Sequence, residues 1–125
     1  MQNSAFPNLH GHQFMKLTTY RKTGVAVPTP VWFVQVGDKL YVTTTADAGK
    51  VKRIRNRGDV TVEPCTASGE ALGPQSAGHA RELTPQEHKA ADEALRRKYG
   101  WQYLMFGILG KLRGGRRTFI EVTPV

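Results

Sequence analysis

The densest set of chemically useful side chains lies in one run, Thr43-Thr44-Thr45-Ala46-Asp47-Ala48-Gly49-Lys50-Val51-Lys52-Arg53. Hydroxyls and a glycine precede the first lysine, and five cations fall within the eight residues Lys50 to Arg57. A basic helix is commonly a solvated face. Here most of the charge sits near the expected helix start, where the helix dipole disfavours cations unless an anion is bound. A strand that runs into a Thr- and Gly-containing turn and then a lysine is a competent phosphate cradle. Anion binding is therefore the expectation for Thr43, Thr44, Gly49, Lys50, Lys52 and Arg53.

A second run, Pro28-Thr29-Pro30-Val31-Trp32-Phe33, admits two readings. One is a bulged core strand whose Trp32 and Phe33 simply pack. The other has the prolines interrupting pairing, so that backbone groups are free to meet a planar ligand beside Trp32. Lys98-Tyr99-Gly100-Trp101 likewise reads either as a helix stop with core packing or as a contact to a cofactor or partner subunit. His10 and His12 lack a third ligand at sensible spacing, so no metal site is expected. Cys65, beside Pro64, reads as a structural thiol. No Walker A or dinucleotide-binding glycine pattern, Ser elbow, HExxH motif or pair of catalytic carboxylates is present. Any catalysis would have to come from a bound cofactor.

The elements that position these residues follow from pattern. Met15 to Arg21 alternates apolar and polar side chains and reads as a strand, with Lys22-Thr23-Gly24 as a turn. Val25 to Val36 is rich in β-branched and aromatic residues, but its prolines confine it to an edge or a bulge. Gly37-Asp38 between two β-rich runs predicts a hairpin. Asp47 is the predicted N-cap of a short helix in which Val51 and Ile54 share one face. Val60 to Pro64 and Gln75 to Leu83 read as strands. Thr84-Pro85-Gln86-Glu87 has the form of a capping box, starting a helix that runs to Tyr99 and stops at Gly100. Trp101 to Gly110 reads as a short apolar helix or helical turn, Gly114-Gly115 as a break, and Thr118 to Thr123 as the last strand. Residues 1–13 read as an arm. The pattern predicts a mainly β (α+β) antiparallel barrel of six to seven strands with two or three short helices at its ends.

Bulk properties narrow the partners. A chain of 125 residues fits one domain, spanning 1–125, that can bury a core without disulfides or metal. Eighteen Lys and Arg against ten Asp and Glu give a formal charge of +8, which attracts polyanions of any kind. A single cysteine precludes an internal disulfide and fits a cytoplasmic setting. The first residues lack a charged segment followed by an apolar run, and Tyr103 to Leu109 is far too short to span a bilayer, so a soluble protein with no membrane contact is expected.

Taken in order, LTTYRKTG, PTPVWFV, LYVTTTADAGKVKRIR, VTVEPC and RRKYG resemble the pyridoxamine-phosphate-oxidase-like split β-barrel flavoproteins. The branch using the deazaflavin coenzyme F-420 is the most similar. The resemblance runs from about Phe14 to Pro124. It implies a homodimer with cofactor sites at the interface. Thr43, Thr44, Gly49 and Lys50 match the segment that holds cofactor phosphate, and Lys52 and Arg53 match nearby basic positions. Thr29, Pro30, Val31 and Trp32 match the strand whose backbone lies along the flavin-like ring. Lys98 to Trp101 would approach from the other subunit or close the edge of the site. Pro28 stands where the type enzyme of the superfamily has an arginine. That enzyme's C-terminal arginine-bearing segment has no counterpart, and the N-terminal region looks abbreviated. Pyridoxamine-phosphate oxidation is therefore not expected.

The resemblance implies an oxidoreductase transferring hydride from reduced coenzyme F-420 to an electron-poor small-molecule acceptor, with no catalytic side chain identified. FMN is the alternative cofactor. A non-catalytic flavin or haem carrier is a second class of function. A single-strand nucleic-acid binder is a third, disfavoured because the cations cluster on one helix rather than along a groove.

Overall fold

Alternating side chains along each strand produce one interior face. In the computed structural model, which describes residues 6–105 and 116–125, this face lines a single curled antiparallel sheet. The strands are β1 (Phe14–Tyr20), β2 (Ala26–Trp32), β3 (Val34–Val36), β4 (Lys39–Thr45), β5 (Asp59–Cys65), β6 (Ser76–Glu82) and β7 (Arg117–Pro124), with helices α1 (Gly49–Asn56) and α2 (His88–Tyr99). Met15 and Leu17 of β1, Val60 and Val62 of β5, Leu40 and Val42 of β4, and Ile120 and Val122 of β7 form the interior core. Val51 and Ile54, on one face of α1, plug one end of it. The outer face of β4 and β7 carries a second core in which Ala91, Leu95 and Tyr99 of α2 pack on Phe119.

Strand order across the sheet is β2-β1-β5-β6-β7-β4-β3. β2 and β3 thus lie at opposite edges, yet only Phe33 separates them in the chain. A single residue spans about 3.5 Å, so the sheet has to curl until its two edges meet. The result is a barrel with a split between β2 and β3 rather than a continuous ladder.

The expected run Val25 to Val36 is therefore two strands. Phe33 breaks it because its side chain turns into the core and its backbone bonds to the Tyr99 hydroxyl instead of a neighbouring strand. Gly37 takes a positive φ of 61° in the two-residue turn between β3 and β4, a conformation that glycine adopts without strain. The capping box at Thr84 and Glu87 forms as expected, although the first turn is a 3₁₀ turn, Pro85–Glu87, ahead of α2. Gly100 ends that helix with φ of 59°.

Two expectations are corrected. Ala48, not Asp47, is the N-cap of α1, and no side chain caps this helix. The N-terminal segment is not a free arm from Phe6 onward: Phe6 and Leu9 are 0% and 2% exposed in the interior core, where a 3₁₀ turn, Pro7–Leu9, folds them under the barrel. Apolar side chains of that size gain more from burial than the chain loses by being ordered. Residues 101–105 are helical, while the rest of the predicted second helix and the Gly114-Gly115 break lie outside the described residues.

Candidate functional site

The five cations of the basic helix divide by partner. Arg55 bonds Glu82 at 2.8 Å, and Arg57 bonds Asp59 at 2.7 Å while lying over the Tyr20 ring. Lys50, Lys52 and Arg53 have no carboxylate within ion-pair distance among the described residues. The cations at the C-terminal end, Arg55 and Arg57, are thus neutralised internally, while Lys50, Lys52 and Arg53 are left without a carboxylate partner among the described residues.

Arg53 folds back toward the helix start. Its Nε donates to Thr19 Oγ1 at 2.6 Å, and its guanidinium lies so close over Gly49 that a β-carbon there would meet Nη1 at 2.9 Å. Burial, with the Arg53 charge beside it, lowers the pKa of Lys50 below the ordinary lysine value. Two cations therefore converge on a helix N-terminus that lacks a side-chain cap, where unbonded N–H groups and the dipole add further positive potential. An anion would satisfy all of these at once.

The threonines before the helix separate. Successive strand residues face opposite ways. Thr44 shares the interior face of Val42, whereas Thr43 lies on the outer face, accepting from Arg117 Nε at 3.0 Å and donating to the Thr118 carbonyl at 3.3 Å. The Thr43 hydroxyl is committed to β7, so the structure does not bring it to Lys50. Thr19, which the sequence reading missed, takes that place as the seat of Arg53. Its signal was a hydroxyl in the interior row Met15, Leu17, Thr19.

Strand β2 pairs with β1 without interruption, from Trp32 opposite Phe14 to Ala26 opposite Tyr20. The prolines therefore do not break this ladder, contrary to the reading that had them interrupt it. Alternate residues of an antiparallel strand turn their N–H groups away from the partner, and Pro28 and Pro30, two apart, suit those outward positions. What they leave blank is the free edge of the sheet. Thr29 and Val31 face inward opposite Leu17 and Met15, while Pro30 and Trp32 face outward. Trp32 is held between Tyr99, stacked at 4.5 Å and 11°, and the edge of Phe14 at 6.5 Å. Thr19 lies opposite Val27, so the Arg53 head sits at one end of β2 and Trp32 at the other. Five steps along the strand lead from Val27 to Trp32, about 17 Å at roughly 3.4 Å each.

Two cavities formed by described residues are lined by side chains other than those of α1 and β2. One of about 370 Å³ is lined by His88, Lys89, Asp92, Arg117 and Phe119, and one of about 170 Å³ lies beside Lys98 and Tyr99. Along β2 the candidate site is an open surface. Among the described residues no three His, Cys, Asp or Glu side chains are grouped as a metal site requires. No described helix is long and apolar enough to cross a membrane.

No protein-family model matches the chain, and no curated protein matches it. Solved structures do. The heme storage protein HutZ of Vibrio cholerae superposes with a TM-score of 0.71 at 12% identity, covering 98% of this chain and 92% of that one. An F-420 reductase gives 0.65 at 18% identity, covering 100% and 96%. A candidate pyridoxamine 5'-phosphate oxidase from Listeria innocua gives 0.65 at 17% identity, covering 95% and 89%. At such identities the likeness is one of fold: the chain has the split β-barrel of the pyridoxamine-phosphate-oxidase-like proteins, as its motifs implied.

Proposed function

We propose that this protein binds a flavin-type cofactor and acts as an oxidoreductase, with reduced coenzyme F-420 donating hydride to an electron-poor organic acceptor. The observation that carries the reading is the trio Lys50, Lys52 and Arg53, without carboxylate partners among the described residues near the uncapped start of α1, with Arg53 bonded to Thr19 of β1 opposite Val27 of β2. This geometry suits an elongated ligand with a charged end and a planar end. Lys50, Arg53 and the first N–H groups of α1 would hold its phosphate, with Gly49 letting it approach the backbone. Thr29 to Trp32 would lie along its ring. When bound, the cofactor supplies the hydride chemistry; the chain's part is to orient it and exclude water.

The open edge of β2 supports a further element of this reading, a homodimer in which the second copy covers the ring. Pro28 and Pro30 prevent that edge from simply extending the sheet, so the copies would meet by side chains. FMN is the alternative cofactor, since its phosphate would suit the same cations.

Titration of the purified protein with coenzyme F-420 and with FMN, followed by fluorescence, tests the reading. Binding of one of them is expected, and Lys50→Ala should weaken it by about 1–3 kcal/mol through loss of a charge-assisted contact. Oxidation of the reduced coenzyme that depends on an added acceptor separates a reductase from a carrier. Likeness to HutZ favours a second reading, a haem carrier. Haem binding that is indifferent to Lys50→Ala, with neither flavin bound, would replace the first reading by the second.

A further inference from the structure

The barrel is closed at one residue, and the C-terminal end of α2 holds that residue from both sides. The Phe33 N–H donates to the Tyr99 hydroxyl at 3.0 Å, and that hydroxyl lies 2.6 Å from the Phe33 carbonyl and 2.7 Å from the Gln13 carbonyl. Lys98 Nζ donates to the Phe33 carbonyl at 2.8 Å and to the His12 carbonyl at 2.7 Å, with its ammonium 3.9 Å above the Phe33 ring. Neighbouring Trp32 is stacked on the Tyr99 ring. Two consecutive side chains thus fix the backbone of the crossover, the indole before it and the segment that precedes β1. No carboxylate pairs with Lys98 among the described residues, and burial pushes its pKa down to about 8. Lys98 therefore spends its ammonium on two backbone carbonyls and a ring face rather than on a carboxylate, more contacts than ending a helix requires.

We infer that Lys98 and Tyr99 are positioning residues for the cofactor groove: they lock the Trp32-Phe33 crossover and so set where the ring-lining end of β2 stands. The inference rests on the proposed placement of a ring along Thr29 to Trp32. It adds a role for α2, which meets β2 through the stack of Tyr99 on Trp32. Tyr99→Phe keeps the ring under Trp32 and removes only the hydroxyl; Lys98→Met keeps the stem and removes the charge.

The test is made in a Trp101→Phe background, where Trp32 is the only tryptophan. Iodide quenching of Trp32 is measured without cofactor, titration with coenzyme F-420 and with FMN gives the dissociation constant, and thermal melting gives stability. Arg81→Gln, which breaks ion pairs with Glu87 and Glu121 and leaves Lys98 and Tyr99 in place, serves as the control. Tyr99→Phe and Lys98→Met are expected to raise Trp32 quenching and, well below their melting temperatures, to weaken cofactor binding about three- to tenfold, the size expected for one or two lost hydrogen bonds. The control should shift melting alone. If both variants melt earlier while quenching and affinity stay at the parent values, the role is purely structural and the inference is overturned. If the parent binds neither cofactor, the functional reading fails, and quenching decides this one: unchanged quenching refutes it, increased quenching sustains the lock.

Discussion

Replacing Gly49 with alanine isolates the seat of Arg53 without touching any charge. In the middle of a helix the change would add roughly 0.4–1 kcal/mol of stability by restricting the unfolded chain. At this position the new β-carbon lies 2.9 Å from Arg53 Nη1, inside the distance that carbon and nitrogen tolerate. The crowding atom belongs to the far end of a flexible side chain, so the guanidinium swings away rather than the helix deforming. Its 2.6 Å bond to Thr19 is then lost or lengthened, a cost of about 1 kcal/mol for a half-buried, charged donor. The two terms nearly cancel, and the melting temperature should move by no more than about 3 °C. Anion binding should not be spared: with Arg53 displaced, affinity for the cofactor falls by about 1–2 kcal/mol, roughly five- to thirtyfold. The assay pairs a thermal melt with a fluorescence titration of the parent and variant proteins. An unchanged dissociation constant beside a raised melting temperature would refute the placement of Arg53 at the phosphate.

Two further predictions concern the framework. Hydrogen bonds from Arg81, then from the Thr84 backbone, hold the Glu87 carboxyl down to about 2 from an ordinary value of 4.5. Because the folded pKa is depressed, its stabilisation is present above about pH 4.5 and is lost as pH falls toward 2; Glu87→Gln should therefore melt earlier than the parent at neutral pH, with the difference shrinking across that window. Phe6→Ala should cost about 3–5 kcal/mol, measurable by urea unfolding, because Phe6 is fully buried in the interior core; a cost near zero would show that the segment behaves as the free arm its composition suggests.

The strands were legible wherever local chemistry decided them. The Gly37-Asp38 turn, the alternation from Met15 onward and the capping box at Thr84 depend on neighbours in sequence. The break at Phe33 was not legible, because nothing local distinguishes Phe33 from the apolar residues beside it; Tyr99, 66 positions away, makes the break by taking its N–H. The buried N-terminal segment was misread for the same reason, since Phe6 and Leu9 find their partners only once the barrel exists. Within the candidate site, the cations and the glycine were plain from residue type. Which of the cations are spent was not, because Arg55 is neutralised by Glu82 on β6. Thr43 and Thr44 look equivalent in sequence and are parted by strand alternation. The prolines of β2 signalled an edge strand correctly, and only the register with β1 shows that the blank side faces outward.

The one-residue link at Phe33 also orders events in time as the chain is made. β2 closes locally on β1 and β3 on β4, so two hairpins joined by a single residue can form early. Neither can become part of a barrel until Arg117–Pro124 arrives, because β7 is the strand that joins β4 to β6 and so connects the two halves of the sheet. Until then the emerging chain carries β4 with its outer edge unpaired and β6 likewise, the arrangement most prone to pairing with another chain. A protein built this way depends on its last strand being made promptly, and pausing during synthesis ahead of Arg117 should raise its tendency to aggregate.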